Sequence, residues 1–366
     1  MAFNPWEVSG AVDYDKLVKQ FGIKPLKKLP AIFEKNILFS RKKIFAHRDF
    51  EKIAQAIEQK KPFCVMTGLM PTGKFHIGHM ILAQQFIFYQ SLGAKIYIAI
   101  ADIEAYHARS QSLETSRKIA IEEYVKNYIA LGLKKENLVL YFQSERSDNA
   151  FVSNSYYRLQ NLLARHATFN EFQAVYGEIS PGKMISALLQ AADMLHPSLD
   201  EFEGAIPILI PVGIDQDPHI RLARDIAKRI KEKKVGQLSS TYHLFVPGLD
   251  GGKMSSSVES SYIGLTDDPV TIKKKVNKYA FSGGRATLEE HRKLGGNPDI
   301  DVSYQWLTFF EQDDALLDQI AKKYRSGELL SGELKAIIIE KLQAIIGDVQ
   351  KKRAKITQKD IEQYFS

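Results

Sequence analysis

Short apolar runs alternate with amphipathic stretches along the first two-thirds of the chain. Residues 77–92 and 116–133 carry apolar side chains at spacings of three and four, which predicts helices. The apolar runs between them are typical of buried strands, and they lie around Phe63 and Val65 and at residues 96–102, 137–143 and 205–213. Strands that are apolar throughout and alternate with helices indicate an α/β fold with a doubly wound parallel sheet.

The pattern changes at about residue 265, after which only helical spacing remains. The later helices are predicted to begin at residues of the capping type, near Ser303, Asp313, Ser331 and Gln358. We therefore predict an all-helical C-terminal domain at 266–366. We also predict an α/β catalytic domain at 61–265 with a helical insertion at about 150–200, and an N-terminal extension at 1–60 packed on it.

The composition sets limits on what this protein does. The chain of 366 residues has a net charge of +7, which is mild support for a polyanionic partner. Its single cysteine, Cys64, excludes an internal disulfide and a multi-cysteine zinc cage, and we interpret it as a core thiol. No stretch is typical of a signal peptide or long enough to span a bilayer, so we expect a cytoplasmic protein without a membrane partner.

The first predicted strand leads into a glycine-rich turn, Gly68-Leu69-Met70-Pro71-Thr72-Gly73-Lys74, and then into the helix at 77–92. The N-terminus of such a helix attracts anions through its free N–H groups and its macrodipole. His76 and His79 lie there three residues apart, so they can share one face. These features favour a phosphate site over a tight turn with two incidental histidines. No Gly-x-Gly-x-x-Gly turn is present, which disfavours a nucleotide-binding oxidoreductase.

A second motif, Lys253-Met254-Ser255-Ser256-Ser257, lies far downstream in a glycine-flanked segment that we expect to be a mobile loop. Together with His76-Ile77-Gly78-His79, it resembles the signature pair of the class I aminoacyl-tRNA synthetases. The resemblance implies a Rossmann-like catalytic domain. Within that class the chain looks like the archaeal and eukaryotic branch of the tryptophanyl-tRNA synthetases, at Asn4-Pro5-Trp6-Glu7-Val8, 32–49, 214–219 and 281–303.

This resemblance implies a two-step reaction. L-tryptophan is first activated with ATP and Mg²⁺ to tryptophanyl-adenylate and pyrophosphate, and tryptophan then passes to tRNA(Trp). It also implies a homodimer. His76, His79 and Lys253 are the catalytic candidates, because they can supply opposing charge and donors to the phosphates. Asp215 can accept from the ribose hydroxyls, or it can cap a helix. No protein metal site is predicted, and the ATP-binding candidates are Thr72, Gly73, Lys74, His76, Gly78, His79, Asp215, Lys253, Met254, Ser255 and Ser256.

The amino-acid pocket departs from the family pattern. Met66 and Ala99 stand where the eukaryotic enzymes have a tyrosine and a glutamine that hold the indole N–H. Asp193 resembles the acidic indole acceptor of the bacterial family, although it could also be a surface carboxylate. The candidates for binding tryptophan are Met66, Gly68, Gln190, Asp193 and Gln216.

The resemblance also assigns Phe281 and Arg285 to tRNA, because an aromatic ring and an arginine can stack on unpaired bases and bond their edges. Two alternatives stay open. A tyrosyl-tRNA synthetase shares the fold and the glycine turn. A synthetase-like module without catalysis, for nucleic-acid binding or signalling, would be expected to lose the histidine or Lys-Met-Ser residues, and this chain keeps them.

Overall fold

The computed structural model describes residues 14–27, 29–231, 235–256 and 258–365, and for residues 14–17 the backbone alone. Two stretches used in the sequence analysis lie outside these ranges: Asn4-Pro5-Trp6-Glu7-Val8 and Ser257, the last residue of the Lys-Met-Ser-Ser-Ser motif.

Seven strands form one sheet in the order β1-β2-β7-β6-β3-β4-β5. The five from β7 to β5 are parallel, which confirms the predicted doubly wound sheet. Chain order reverses between β3 and β6, the place where doubly wound sheets leave a crevice for ligands. The strands are β1 Lys24–Pro25, β2 Ile44–Arg48, β3 Cys64–Leu69, β4 Lys95–Ile100, β5 Leu138–Phe142, β6 Ile208–Gly213 and β7 Leu238–His243.

The central strands are apolar throughout because both of their faces are buried. On β3 the side chain of Val65 packs in one apolar core and that of Met66 in the core on the other face. On β4 Ile98 and Ala99 divide in the same way. This is the arrangement that the uninterrupted apolar runs predict.

The N-terminal segment, which we predict to pack on the catalytic domain, contributes two strands to the sheet. Its strands β1 and β2 continue the sheet itself, and β2 pairs antiparallel with β7. The apolar pattern also did not predict β7, whose Ser239, Ser240 and Thr241 are buried polar residues. Hydroxyl hydrogen bonds satisfy two of them, because Ser239 donates to the Asp49 carbonyl and Ser240 to the Tyr242 hydroxyl.

Eighteen α-helices are described. The first twelve are α1 Tyr14–Phe21, α2 Ala31–Glu34, α3 Ile37–Ser40, α4 Glu51–Glu58, α5 Ile77–Ser91, α6 Asp102–Arg109, α7 Leu113–Ile119, α8 Lys126–Leu131, α9 Ala150–Ala164, α10 Phe169–Tyr176, α11 Pro181–Leu195 and α12 Asp217–Arg229. A π-helical stretch, Ala120–Val125, joins α7 to α8. The remaining helices are α13 Pro269–Tyr279, α14 Leu288–Leu294, α15 Val302–Phe310, α16 Asp314–Arg325, α17 Ser331–Arg353 and α18 Gln358–Glu362.

The described residues after β7 form helices and loops, without a further strand of the sheet. Their apolar side chains join the core on one face of the sheet, so Trp306 and Leu342 belong to the same cluster as Val65. The end of the chain returns to the sheet, where the Phe365 ring stacks on Phe142 at 5.4 Å between ring centres. In the described part of the chain, no helix combines the length and the apolar character needed to cross a bilayer.

Candidate active site

A cavity of about 770 Å³ opens beyond the C-terminal ends of β3, β4 and β6, where the sequence analysis expects the ligand site. Residues of both motifs and all five residues predicted to bind tryptophan line it. The predicted residues in its wall are Met66, Gly68, His76, Gly78, His79, Gln190, Asp193, Asp215, Gln216, Lys253, Met254, Ser255 and Ser256. Five candidates are not in the wall: Thr72, Gly73 and Lys74 of the turn, and Phe281 and Arg285 of the helical part.

The two histidines stack on each other at the start of α5, with ring centres 3.7 Å apart. His76 is the N-cap, and its Nδ1 accepts from the amide of Gly78 at 3.2 Å. Nδ1 of His79 accepts from the amide of His76, also at 3.2 Å. Because Nδ1 is an acceptor in both rings, each neutral imidazole carries its hydrogen on Nε2. Both rings are therefore hydrogen-bond donors.

Burial lowers the pKa of His79 to about 4, and burial together with the neighbouring His79 lowers the pKa of His76 well below its usual value. Both imidazoles are then neutral at physiological pH. The expectation that the two histidines supply opposing charge is therefore revised. As neutral rings they can offer only N–H donors to a ligand. Gly78 gives them room, since a Cβ there would lie 3.0 Å from the His76 ring.

The glycine turn and the Lys-Met-Ser-Ser-Ser segment touch each other. Gly73 has a φ of +65°, and a Cβ at this position would lie 3.0 Å from the Cβ of Ser256. The Tyr124 hydroxyl stabilises the turn by donating a hydrogen bond to the Thr72 carbonyl at 3.0 Å. Lys74 is exposed. The first part of the turn, Gly68 to Met70, therefore lines the cavity, whereas Thr72, Gly73 and Lys74 lie outside its wall.

Lys253 is paired with Asp215, with Nζ 3.0 Å from Oδ2. The same carboxylate oxygen accepts from Nε2 of Gln216 at 3.3 Å, and the Lys253 ammonium lies 5.0 Å from the ring centre of Phe245. Two residues predicted to contact different parts of ATP thus contact each other here. Lys253 brings the positive charge that the neutral histidines lack.

Asp193 is buried at the centre of a hydrogen-bond network. It is therefore not a surface carboxylate, which was the alternative interpretation. Its Oδ1 accepts from the hydroxyls of Tyr141 and Tyr156, each at 2.6 Å, and its Oδ2 accepts from Nε2 of Gln143 at 2.7 Å. Burial raises its pKa to about 6. A carboxylate has about four acceptor positions, so Oδ2 keeps one for a ligand.

Sequence reasoning missed Glu104, which lies on α6 and lines the cavity. The pKa of this carboxyl is raised to about 7, mainly by burial and to a smaller extent by the charge of Asp193. Asp102, the last residue of the predicted strand at 96–102, accepts from the amides of Ile103 and Ser144 at 3.0 and 3.1 Å. The sequence signal for Glu104 was its place two residues beyond the predicted strand at 96–102, but a lone glutamate there matches no motif.

Phe281 and Arg285 lie in a tight bend of the helical part. The Phe281 amide donates to the Leu249 carbonyl at 2.7 Å, while 49% of the residue is exposed. Arg285 is exposed and donates through Nε to the Gly295 carbonyl at 2.9 Å. Both residues thus combine a structural contact with an accessible side chain.

A family profile described as tRNA synthetases class I (W and Y) matches residues 58–347 of this chain. A tryptophan–tRNA ligase of Methanocaldococcus jannaschii is 44% identical over 96% of this chain and 95% of that relative. A tryptophan–tRNA ligase of Aeropyrum pernix is 42% identical over 96% and 95%. The crystal structure of tryptophanyl-tRNA synthetase from Aeropyrum pernix K1 superposes with a TM-score of 0.89 at 41% identity, covering 99% of this chain and 98% of that one.

Proposed function

This chain belongs to the tRNA synthetases class I (W and Y), and from that membership we propose that it is a tryptophan–tRNA ligase. It activates L-tryptophan with ATP and then transfers it to tRNA(Trp). The observation that carries this proposal is a single cavity in which the two signature motifs meet at one end and an apolar slot with buried carboxyl groups opens at the other.

In the first step the carboxylate of tryptophan attacks the α-phosphorus of ATP, and pyrophosphate leaves. Negative charge shifts onto phosphate oxygens, so the step needs positioned donors and opposing charge but no protein nucleophile. Nε2–H of His76 and of His79 are the neutral donors. Lys253 adds the charge once ATP draws it away from Asp215, which is then released to accept from a ribose hydroxyl.

Mg²⁺ enters this scheme with ATP as part of the substrate. Among the described residues, no group of three or more histidine, cysteine, aspartate and glutamate side chains could hold a metal ion. The donors around the cavity fit the phosphates of ATP, which would bring the ion with them. The ion supplies further positive charge to the phosphates when it is bound.

The other end of the cavity fits tryptophan. Met66 and Ala99 give the ring an apolar wall, and Asp193 Oδ2 has one acceptor position for the indole N–H. Glu104 is the carboxyl group that suits the α-ammonium, because a cation beside it would stabilise its ionised form. Gln190 and Gln216 in the same wall add amide groups for the polar end of the amino acid.

Three further parts of the proposal come from the family resemblance. Phe281 and Arg285 contact tRNA, the enzyme is a homodimer, and it works in the cytoplasm. The accessible side chains of Phe281 and Arg285 support the first of these. Light scattering on the purified protein tests the second.

ATP–pyrophosphate exchange with each of the twenty amino acids tests the function. We expect exchange that depends on tryptophan. Faster exchange with tyrosine would reassign the chain to the tyrosine enzymes. A complete absence of exchange would favour a non-catalytic nucleic-acid-binding or signalling module.

A further inference from the structure

Residues 262–267, here called the clamp segment, run antiparallel to the chain at the first histidine of the site. His76 and Gly264 are bridge partners. A backbone hydrogen bond flanks this bridge on each side, from Ile77 N to Ile263 O at 3.1 Å and from Leu265 N to Phe75 O at 3.0 Å. The clamp segment therefore fixes the backbone from which the His76 ring projects.

Lys275 of α13 fastens the clamp segment from the helical part of the protein. Oδ2 of Asp267 accepts both from the Lys275 ammonium and from the Gly264 amide, each at 2.9 Å. The lysine side chain is 8% exposed and that of the aspartate 3%. The ammonium also lies 4.9 Å from the ring centre of Tyr262, whose ring stands 5.3 Å from that of His76. One buried cation thus contacts both the carboxylate that holds the Gly264 amide and the tyrosine ring next to His76.

Gln350 of α17 provides a second anchor. Its Nε2 donates to the carbonyl of Leu265 at 3.0 Å and to that of Asp267 at 2.9 Å, which uses both amide hydrogens. Helices α13 and α17 pack against each other. Two neighbouring helices therefore hold the clamp segment.

We propose that Lys275 and Gln350 are positioning residues for adenylate formation. They hold the clamp segment so that Nε2–H of His76 meets the phosphates in the productive orientation. A transition-state donor has its full effect only when its supporting groups fix it within a fraction of an ångström. This inference rests on the proposed function and adds residues of the helical part to the machinery of the first step.

A double-mutant cycle on ATP–pyrophosphate exchange tests it. One variant combines Lys275→Met with Asp267→Asn, which removes the buried cation and its buried charge partner together, leaves only the exposed Glu259 of its acidic contacts, and keeps an acceptor for the Gly264 amide. Each change is made in the wild-type and in the His76→Ala background. We expect kcat to fall about tenfold in the first background and less than about twofold in the second, because the lost positioning acts through His76. The tryptophan KM should stay within about twofold in both.

Gln350→Met is the second variant, and it leaves no buried charge behind. It keeps the test decisive if the first variant does not fold, as judged by thermal melting. Lys274→Met, at an exposed position of the same helix, is the matched control and should leave kcat unchanged. The positioning role is wrong if a folded variant keeps its kcat, or if kcat falls equally in both backgrounds. A wild-type protein without tryptophan-dependent exchange would instead contradict the proposed function itself.

Discussion

Glu104 faces the cavity with a pKa raised to about 7, so its charge changes within the physiological range. Below this pH the carboxyl is mostly protonated and cannot pair with the ammonium of tryptophan, and above it the carboxylate can. We expect kcat/KM for tryptophan to rise with pH through about 7 and to level off above about 8. His79 titrates near pH 4 and does not contribute in this window.

The matched variant for this pH profile is Glu104→Gln. It should lower kcat/KM for tryptophan and remove the inflection near pH 7, leaving at most a smaller one near 6 from Asp193. A Gln variant that keeps the inflection at 7 would assign the titration to another group.

Asp193 accepts hydrogen bonds from three donors. Asp193→Ala would therefore leave two buried tyrosine hydroxyls without an acceptor, as well as the indole N–H. Asp193→Asn keeps the shape and can still accept from both hydroxyls, while its NH2 group replaces Oδ2 and so removes the acceptor for the indole N–H and for Nε2 of Gln143. We expect tryptophan to bind about ten- to a hundredfold more weakly, from a lost charged bond of roughly 1.5–3 kcal/mol. ATP binding should not change.

The control uses the analogue of tryptophan that has sulfur in place of the indole nitrogen and so lacks the indole N–H. The wild-type protein should discriminate strongly against this analogue, and the variant should not. Equal discrimination would mean that another group holds the nitrogen.

Lys253 and Asp215 give a matched pair of variants because each removes one half of the same ion pair. Lys253→Ala should slow activation about 10²–10³-fold, roughly 2.7–4 kcal/mol, the effect of one lost transition-state donor. Asp215→Asn frees the ammonium and should act mainly on the ATP KM. Tryptophan affinity measured without ATP should stay the same in both. If only tryptophan binding weakened in Lys253→Ala, this residue would not contact the phosphates.

At the scale of elements, the sequence predicts a strand well when both of its faces are apolar. β3 and β4 meet this condition, since their neighbouring side chains enter different cores. β7 does not, because Ser239 and Thr241 are buried polar residues that only the finished sheet accommodates. The site follows the same rule. The motif residues could be predicted, whereas Glu104 depends on how tertiary packing turns α6 toward the cavity.

Strand β2 is tied into the fold by an ion pair with the first residue of α12. Arg48 donates to Asp217, whose side chain is fully buried, at 2.9 and 3.1 Å. Arg48→Met leaves that carboxylate without its closest cation and should cost about 3–5 kcal/mol of unfolding free energy. Arg221→Met is the control, because Arg221 contacts the same carboxylate at 3.1 Å from a half-exposed position and should cost less than about 1 kcal/mol. Urea unfolding measures both, and equal losses would contradict an integral role for β2.

At the scale of the whole molecule, the apolar core crosses residue 265 without a break. Trp306 of α15 packs in the same core as the central strands and donates from Nε1 to the Pro247 carbonyl at 2.8 Å, just before the Lys-Met-Ser-Ser-Ser segment. The end of the chain returns to the α/β part through the Tyr364 hydroxyl, which donates to the Leu133 carbonyl at 2.9 Å. The helical part therefore supports the catalytic cavity while its outer bend stays accessible to a large substrate.

This division predicts that the two steps of the reaction can be separated by a change in the bend. Arg285→Ala should weaken aminoacylation of tRNA(Trp), because a stacked or base-bonding arginine is lost, roughly 1–3 kcal/mol for one base contact. Tryptophan-dependent ATP–pyrophosphate exchange should be unchanged, since Arg285 lies outside the wall of the cavity.

Arg292→Ala is the matched control for Arg285→Ala. Its guanidinium also donates to backbone carbonyls, those of Gly327 and Glu328, so this variant loses a comparable structural contact without a predicted contact to tRNA. Two measurements on the same preparations distinguish a contact to tRNA from a purely structural role of Arg285. They are the kinetics of tRNA aminoacylation at varied tRNA concentration and the rate of ATP–pyrophosphate exchange. If Arg285→Ala lost both activities equally, or lost no more charging than Arg292→Ala, its bond to the Gly295 carbonyl would be its whole function and the tRNA assignment would be wrong.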